Sequence, residues 1–236
     1  MASLKNWDNK TWLSSTKYIK LFNNFILKKK RLNKNSQILD IGCGRGKIIA
    51  NLFDRINLAN KPIGIDIENH KDKSKKIFFK KTDGLTFVSN TKITFDLILI
   101  KQTIHLLKKN QIIKLLTICK SKLNPKGKIL IFSLDPKVNE IPTFNIMNNK
   151  LNRSLKRDKE IFDLILKAYP KLKKKYFVFN VKILKNKYLK MIKNRYISTL
   201  LNLSDKQIVD GLIEIKNRYK KELNFRDKLI CLIIDK

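Results

Sequence analysis

Asp40-Ile41-Gly42-Cys43-Gly44-Arg45-Gly46 is the stretch whose reading decides the fold. It closes an apolar strand, Gln37-Ile38-Leu39-Asp40-Ile41, with an acid, and its three alternating glycines lead into a helix expected from about Lys47 to Phe53. Glycine has no Cβ, so the backbone turns sharply there and a ligand can approach it closely. The N–H groups that open the following helix then face that ligand. A nicotinamide fingerprint spaces its glycines G-x-G-x-x-G to seat a pyrophosphate. The spacing here is D-x-G-x-G-x-G, a different loop on the same strand–loop–helix plan.

Downstream, the plan repeats. Pro62-Ile63-Gly64-Ile65-Asp66 reads as a second short buried strand ending in an acid, and Ile77-Phe78-Phe79-Lys80-Lys81-Thr82-Asp83-Gly84 as a third strand followed by another. Phe95-Asp96-Leu97-Ile98-Leu99-Ile100 is a fourth, with Lys101-Gln102-Thr103-Ile104-His105-Leu106 after it. Leu123-Asn124-Pro125-Lys126-Gly127-Lys128 makes the turn before a fifth strand running to Ser133. Together these stretches resemble, in order, the motifs of the class I S-adenosylmethionine-dependent methyltransferases, the glycine loop being their motif I. The resemblance implies a Rossmann-like, doubly wound α/β fold with a seven-stranded, mostly parallel sheet whose strand seven is antiparallel. It implies S-adenosylmethionine as cofactor and S-adenosylhomocysteine as product. By the same resemblance the cofactor lies against Asp40, Gly42, Cys43, Gly44 and Gly46. Asp66, with Ile67 beside it, meets the ribose hydroxyls, Asp83 with Gly84 meets the adenine, and Lys101 stands at the end of strand four. Gln102 and His105 fall where the family lines the methyl-transfer site.

A chain of 236 residues suits one domain with a sizeable core. The expected layout is an N-terminal lid helix in residues 1–35, a cofactor-binding core in 36–184, a helical lid insertion in 185–225 and a final strand in 226–236. No stretch approaches a membrane span and no secretory leader is evident, so a cytoplasmic protein is expected. Cys43, Cys119 and Cys231 show neither disulfide nor zinc spacing, and no metal site is expected. The formal charge of +34 has two readings. Clustered Lys and Arg, as at Lys28 to Arg31, Lys71 to Lys81 and Lys171 to Lys175, neutralise nucleic-acid phosphates. An A- and T-rich genome also enriches Lys, Asn and Ile throughout a chain, and the lysines here are scattered through nearly every segment. An RNA-binding surface would concentrate charge and interleave it with exposed aromatics.

Before the first strand, Trp7, Trp12, Tyr18, Leu21, Phe22, Phe25 and Ile26 give a helix from about Ser14 to Leu32 a strongly apolar face. Ile112, Leu115, Leu116, Cys119 and Leu123 mark the crossover helix after strand four. An irregular segment from Leu134 leads to a helix expected near Arg153 to Tyr169, which Pro170 stops. Strand six is expected over Tyr176 to Leu184 and strand seven over Lys228 to Asp235. Between them Leu189, Ile192, Tyr196, Leu200 and Leu203 define one helix face, and Ser204 with Gln207 forms a capping box that starts another helix. Joined to the N-terminal helix, this pair is expected to roof the pocket. Trp12, Tyr18, Tyr188, Arg195 and Tyr196 are the substrate-contact candidates, with core packing for the aromatics and a solvated Arg as the other reading.

Methyl transfer from a sulfonium is an in-line displacement, so alignment and exclusion of water matter more than acid–base strength. His105 can act as a general base, orient the substrate or simply pack. The Gln102 amide both donates and accepts. The N/D-P-P-Y/F loop of N6-adenine methyltransferases is missing after strand four, no Pro-Cys dipeptide serves a cytosine C5 enzyme, and three scattered cysteines do not suit arsenic methylation. Arginine is scarce beside lysine, and its planar fork suits carboxylates, so Arg195, and with it Arg153, points to a small anionic substrate. The Arg195-Tyr196-Ile197-Ser198 stretch resembles the lid of type 11 small-molecule methyltransferases. The expected activity is methylation of a small anionic metabolite at O, S or N, with RNA methylation the alternative and non-catalytic cofactor binding a third reading.

Overall fold

The computed structural model describes residues 11–236. In chain order its elements are α1 (Thr16–Lys29), β1 (Ile38–Ile41), α2 (Lys47–Ile56), β2 (Ile63–Asp66), β3 (Phe78–Lys81), α3 (Gly84–Asn90) and β4 (Phe95–Lys101). There follow α4 (Lys109–Ser121), β5 (Leu123–Leu134), α5 (Asn145–Ala168), β6 (Lys173–Leu184), α6 (Lys185–Lys193), α7 (Asp205–Arg218) and β7 (Glu222–Asp235). Seven strands make one mixed sheet in the order β3-β2-β1-β4-β5-β7-β6, with β7 antiparallel, the expected Rossmann-like arrangement. None of the described helices is long and apolar enough to cross a membrane.

β1 lies at the topological switch. The chain builds outward from it through β2 to β3, then returns to place β4 on its other side, all in parallel pairing. Asp40 stands opposite Gly64 on one flank and Leu99 on the other. Parallel strands put their carboxyl ends along one edge, and the crevice outside the switch point is where open α/β sheets take ligands. The glycine loop, Asp66, Asp83 and Lys101 to Thr103 all follow these carboxyl ends. β1 is buried along its whole length, as a central parallel strand covered on both faces must be.

The chain divides into two compact units. One comprises Ile19–Ser133, Glu160–Phe177 and Leu229–Lys236. Its core gathers Leu39, Ile65, Ile98 and Ile100 of the strands with Leu115 and Cys119 of α4. The Cys119 thiol is pushed up to about 12 by burial, so it behaves as a small apolar side chain. The other unit comprises the residues up to Tyr18, Leu134–Lys159 and Val178–Lys228, and contains α6 and α7.

Four elements depart most from the sequence reading, the first being β5, which starts at Leu123 and so takes in the stretch read as the turn before it. α5 begins at Asn145 rather than near Arg153, because Phe144, Met147, Leu151 and Leu155 make a buried helical stripe through an asparagine-rich run that propensity alone counts against. The helix expected to carry Leu189 through Leu203 on one face ends at Lys193. Arg195 adopts a left-handed backbone (φ 52°), and the chain resumes as a short 3₁₀ turn over Ser198–Leu200. β7 starts at Glu222 rather than Lys228 because Leu223, Phe225 and Asp227 alternate inward ahead of the continuous apolar run. The Ser204–Gln207 capping box forms as read. Trp7 lies outside the described residues.

Candidate active site

The glycine loop is built by its backbone. Gly42, Gly44 and Gly46 all have positive φ, at 75°, 53° and 68°. At Gly42 a Cβ would fall 2.1 Å from Thr103 Oγ1, so the loop and the end of β4 approach each other closely only because the residue is glycine. At Gly44 a Cβ would meet nothing within 4 Å, so this turn faces open space. The N–H groups of Gly42 and Cys43 both donate to the Ile65 carbonyl, at 2.9 and 3.0 Å, which ties the loop to β2. Cys43 is pressed against Gly64, and burial, with Asp40 and Asp66 nearby, drives its thiol far above the usual range. It stays protonated at any working pH.

Asp40 is the polar centre of the loop. Its side chain is buried, and Oδ1 has no hydrogen-bond partner among the described residues. Burial pushes the carboxyl up to about 7; the Lys101 cation pulls it down and the Asp66 charge pushes it further up. An unsatisfied buried carboxylate oxygen costs stability, so its persistence at a glycine loop marks a place for a ligand to donate. Asp66 is held differently. Its Oδ2 accepts from Gly44 N–H at 2.8 Å and its Oδ1 from Glu68 N–H at 2.9 Å, leaving each oxygen a further lone pair. Ile67 beside it is exposed and apolar. Asp83 is the N-cap of α3, accepting from Thr86 N–H at 3.0 Å, and hydrogen bonding by the Thr86 side chain, then by its N–H, keeps the Asp83 carboxyl below the usual carboxylate range.

The end of β4 carries the second outlier. Gln102 has φ 52°, a conformation that costs a non-glycine residue free energy and clusters at functional sites. Its N–H donates to the Phe132 carbonyl at 2.7 Å, and its Oε1 accepts from Lys101 Nζ at 3.0 Å. Lys101 also lies over the Phe22 ring of α1, 5.6 Å from its centroid. Thr103 Oγ1 donates to the Lys101 carbonyl at 3.0 Å, which locks the turn against Gly42. His105 follows, half-buried, on a 3₁₀ turn over Ile104–Leu106.

These residues fit an S-adenosylmethionine-type ligand. The orphaned acid, the open turn at Gly44, the Asp66 carboxylate and the exposed Ile67 offer acceptors and an apolar face along one sheet edge. Sequence reasoning missed Thr103 and Arg45. Buried Arg45 bonds Asp72 through Nε at 2.7 Å, and although burial pushes the Asp72 carboxyl up, the guanidinium holds it below its usual range. Scarcity of arginine was the available signal for Arg45; nothing local marked Thr103, whose role comes from contact with a distant glycine.

The substrate-contact candidates lie in the other unit, and there they serve packing. Trp12 is buried, donates from Nε1 to Asp227 Oδ2 at 2.7 Å, and meets Tyr196 and Phe225 edge-on. The Tyr188 hydroxyl contacts the Pro142 carbonyl at 2.5 Å and the Tyr196 hydroxyl at 2.8 Å. Tyr18 is fully buried against Phe179, and burial, then the Asp227 charge, raises its hydroxyl well above the usual range. Arg195 was expected as an anion clamp. Its guanidinium donates to the carbonyls of Leu200 and Leu203, both at 2.6 Å, and to Asp205 at 2.8 Å, so it closes the turn after α6.

A family model described as a methyltransferase domain matches residues 14–174. No curated sequence matches the chain. Among solved structures, one described as a methyltransferase from an antibiotic biosynthesis pathway of Anabaena variabilis is 14% identical, with TM-score 0.60, covering 89% of this chain and 95% of that one. The plantazolicin methyltransferase BpumL, solved with S-adenosylhomocysteine, is 18% identical with TM-score 0.54, covering 98% and 87%. A methyltransferase-like protein from Bacillus halodurans is 14% identical with TM-score 0.52, covering 90% and 97%.

Proposed function

The chain belongs to the methyltransferase-domain family, and we propose that it is an S-adenosylmethionine-dependent methyltransferase acting on a small, anionic acceptor. The observation that carries this reading is the buried, unpartnered Oδ1 of Asp40 beneath a loop of three left-handed glycines. When bound, S-adenosylmethionine supplies an electrophilic methyl group on a sulfonium. Asp40, Asp66 and the glycine-loop backbone hold it, with Asp83 at the adenine end.

Gln102 and Lys101 address the acceptor. Lysine only donates, so the 3.0 Å bond from Lys101 commits the Gln102 carbonyl oxygen and leaves its NH₂ to donate outward. A donor backed by a cation favours an acceptor bearing an oxyanion or carbonyl. This moves the anion preference from Arg195, which is spent within its own turn, to the end of β4. His105, three residues on, orients the acceptor or takes its proton. A small acceptor is supported by the missing adenine-clamping loop after β4 and by neighbours whose described substrate or pathway is a natural product.

Isothermal calorimetry with S-adenosylhomocysteine tests the cofactor half: folded protein binds, and Asp66→Ala weakens binding. A methyl-transfer screen over carboxylic acids, phenols, thiols, amines and bulk RNA, reading S-adenosylhomocysteine formation, tests the other half. Turnover confined to amines or RNA sinks the anionic small-molecule assignment.

A further inference from the structure

The edge of the sheet at β3 carries a feature that the methyl-transfer site does not use. Parallel strands are usually joined by a crossover helix that covers the sheet. Between β2 and β3 the connecting residues 67–77 form no helix, and the segment is instead pinned at its middle by the Arg45–Asp72 ion pair and by Ser74 N–H donating to the Arg45 carbonyl at 2.9 Å. The edge strand is therefore thinly covered on both faces. Phe78 is 59% exposed, and Phe79, on the opposite face, is covered by the Lys73 ammonium, 5.1 Å from its ring centroid.

Lysines surround these rings. Lys71, Lys75, Lys80 and Lys81 are exposed, and the Lys73 ammonium bonds the neutral Asn69 side chain at 2.8 Å. Two acids nearby are already committed: Asp72 to Arg45 and Asp54 to Lys76, both at 2.7 Å. Lys80 lies over the Phe87 ring, 5.8 Å from its centroid, so it shares the Phe78 face with that aromatic. Uniformly scattered lysine explains the charge. It does not explain an exposed phenylalanine at the centre of the charge, on a strand that lies at the edge of the sheet among the described residues.

We propose that the β3 edge is a docking surface for single-stranded nucleic acid, with Phe78 stacking a base and Lys71, Lys75 and Lys81 neutralising the flanking phosphates. Unpaired bases expose flat faces that a paired duplex hides, and one phosphate per base matches a row of cations along a strand. A duplex presents its charge with its bases stacked inside and leaves Phe78 without a partner. This surface is separate from the methyl-acceptor site and does not require that the acceptor be a nucleic acid.

Fluorescence anisotropy with a labelled twelve-nucleotide oligouridylate and the full chain tests the proposal. Lys71→Glu/Lys75→Glu/Lys81→Glu should lower affinity by tenfold or more and flatten the dependence on salt, because counterion release scales with the phosphates neutralised. Lys156→Glu/Lys206→Glu/Lys220→Glu changes net charge equally and should lower affinity less than threefold. Phe78→Ala should cost about tenfold, persisting at high salt, as expected for lost stacking. Calorimetry with S-adenosylhomocysteine on each variant shows that the fold and cofactor site are intact, so failure here is distinct from failure of the methyltransferase reading. Equal losses in both triple variants, tighter binding of a duplex of the same length, or equal competition by polyglutamate would each overturn the proposal.

Discussion

The glycine loop with the end of β4, and the aromatic cluster around Trp12, both bury polar groups, and they treat them in opposite ways. In the cluster three polar groups are answered within the protein: the indole of Trp12 by Asp227, Tyr188 by Pro142 and Tyr196, the Arg195 guanidinium by two carbonyls and a carboxylate. In the loop Asp40 Oδ1 is left unanswered, Gly44 faces open space and Gln102 holds a costly backbone conformation. A region that satisfies itself is built for stability. One that keeps an orphaned acid and a strained turn is built to be completed by something else.

Removing Trp12 tests this contrast most severely. Trp12→Ala empties a large buried volume and removes the indole donor to Asp227, so urea unfolding should show a loss of about 3–5 kcal/mol. The folded fraction should bind S-adenosylhomocysteine as before; a matching fall in intrinsic affinity would break the comparison. Gly42→Ala comes next. The new methyl collides with Thr103 and the left-handed backbone is strained, for about 2–3 kcal/mol of stability by thermal melting. Gly44→Ala meets no neighbour, so it should cost only the about 1–2 kcal/mol of its backbone strain while hurting ligand binding more than its partner substitution hurts stability.

Arg195→Ala should destabilise by about 2 kcal/mol, since two buried-side carbonyls lose a charged donor. Once an acceptor is found, its KM should not move; a large rise in KM would restore the anion-clamp role. The last test is the pH dependence of Asp40. Its folded-state pKa of about 7 lies above the reference value of 3.8, so the native protein holds the extra proton between them. Ligand-free stability should therefore fall as pH rises from about 4 to about 7 and level off above. A ligand carrying an ammonium group favours the ionised carboxylate, so affinity for S-adenosylhomocysteine should rise with pH up to about 7, by at most about tenfold per unit. Asp40→Asn should abolish both trends, as read by melting temperature and calorimetry across pH.

The order of strands, the acids at their ends and the capping box at Ser204 were legible because each is written locally: an apolar run, an acid at its end, a glycine where a side chain cannot fit, a serine three residues before a glutamine. The same local grammar misread α5, whose first turns are asparagines carried by a buried stripe, and α6, where helical spacing runs on through Arg195 although the chain turns there. In both cases packing and hydrogen bonding outweighed propensity. The substrate candidates show the same limit. Aromatics at helical spacing look alike whether they face a pocket or a core, and only the partners of their hydroxyls and indole distinguish the two.

The family, the Rossmann-like sheet and the acids at its strand ends are readable from the amino-acid order, since spacing and residue type specify backbone path through sterics and strand periodicity. The tertiary structure decided which polar groups remain unsatisfied. It left Asp40 an open acceptor, committed the Gln102 carbonyl to Lys101, spent Arg195 on its own turn and bared Phe78 among lysines, because hydrogen-bond satisfaction and exposure depend on residues brought together from distant parts of the chain.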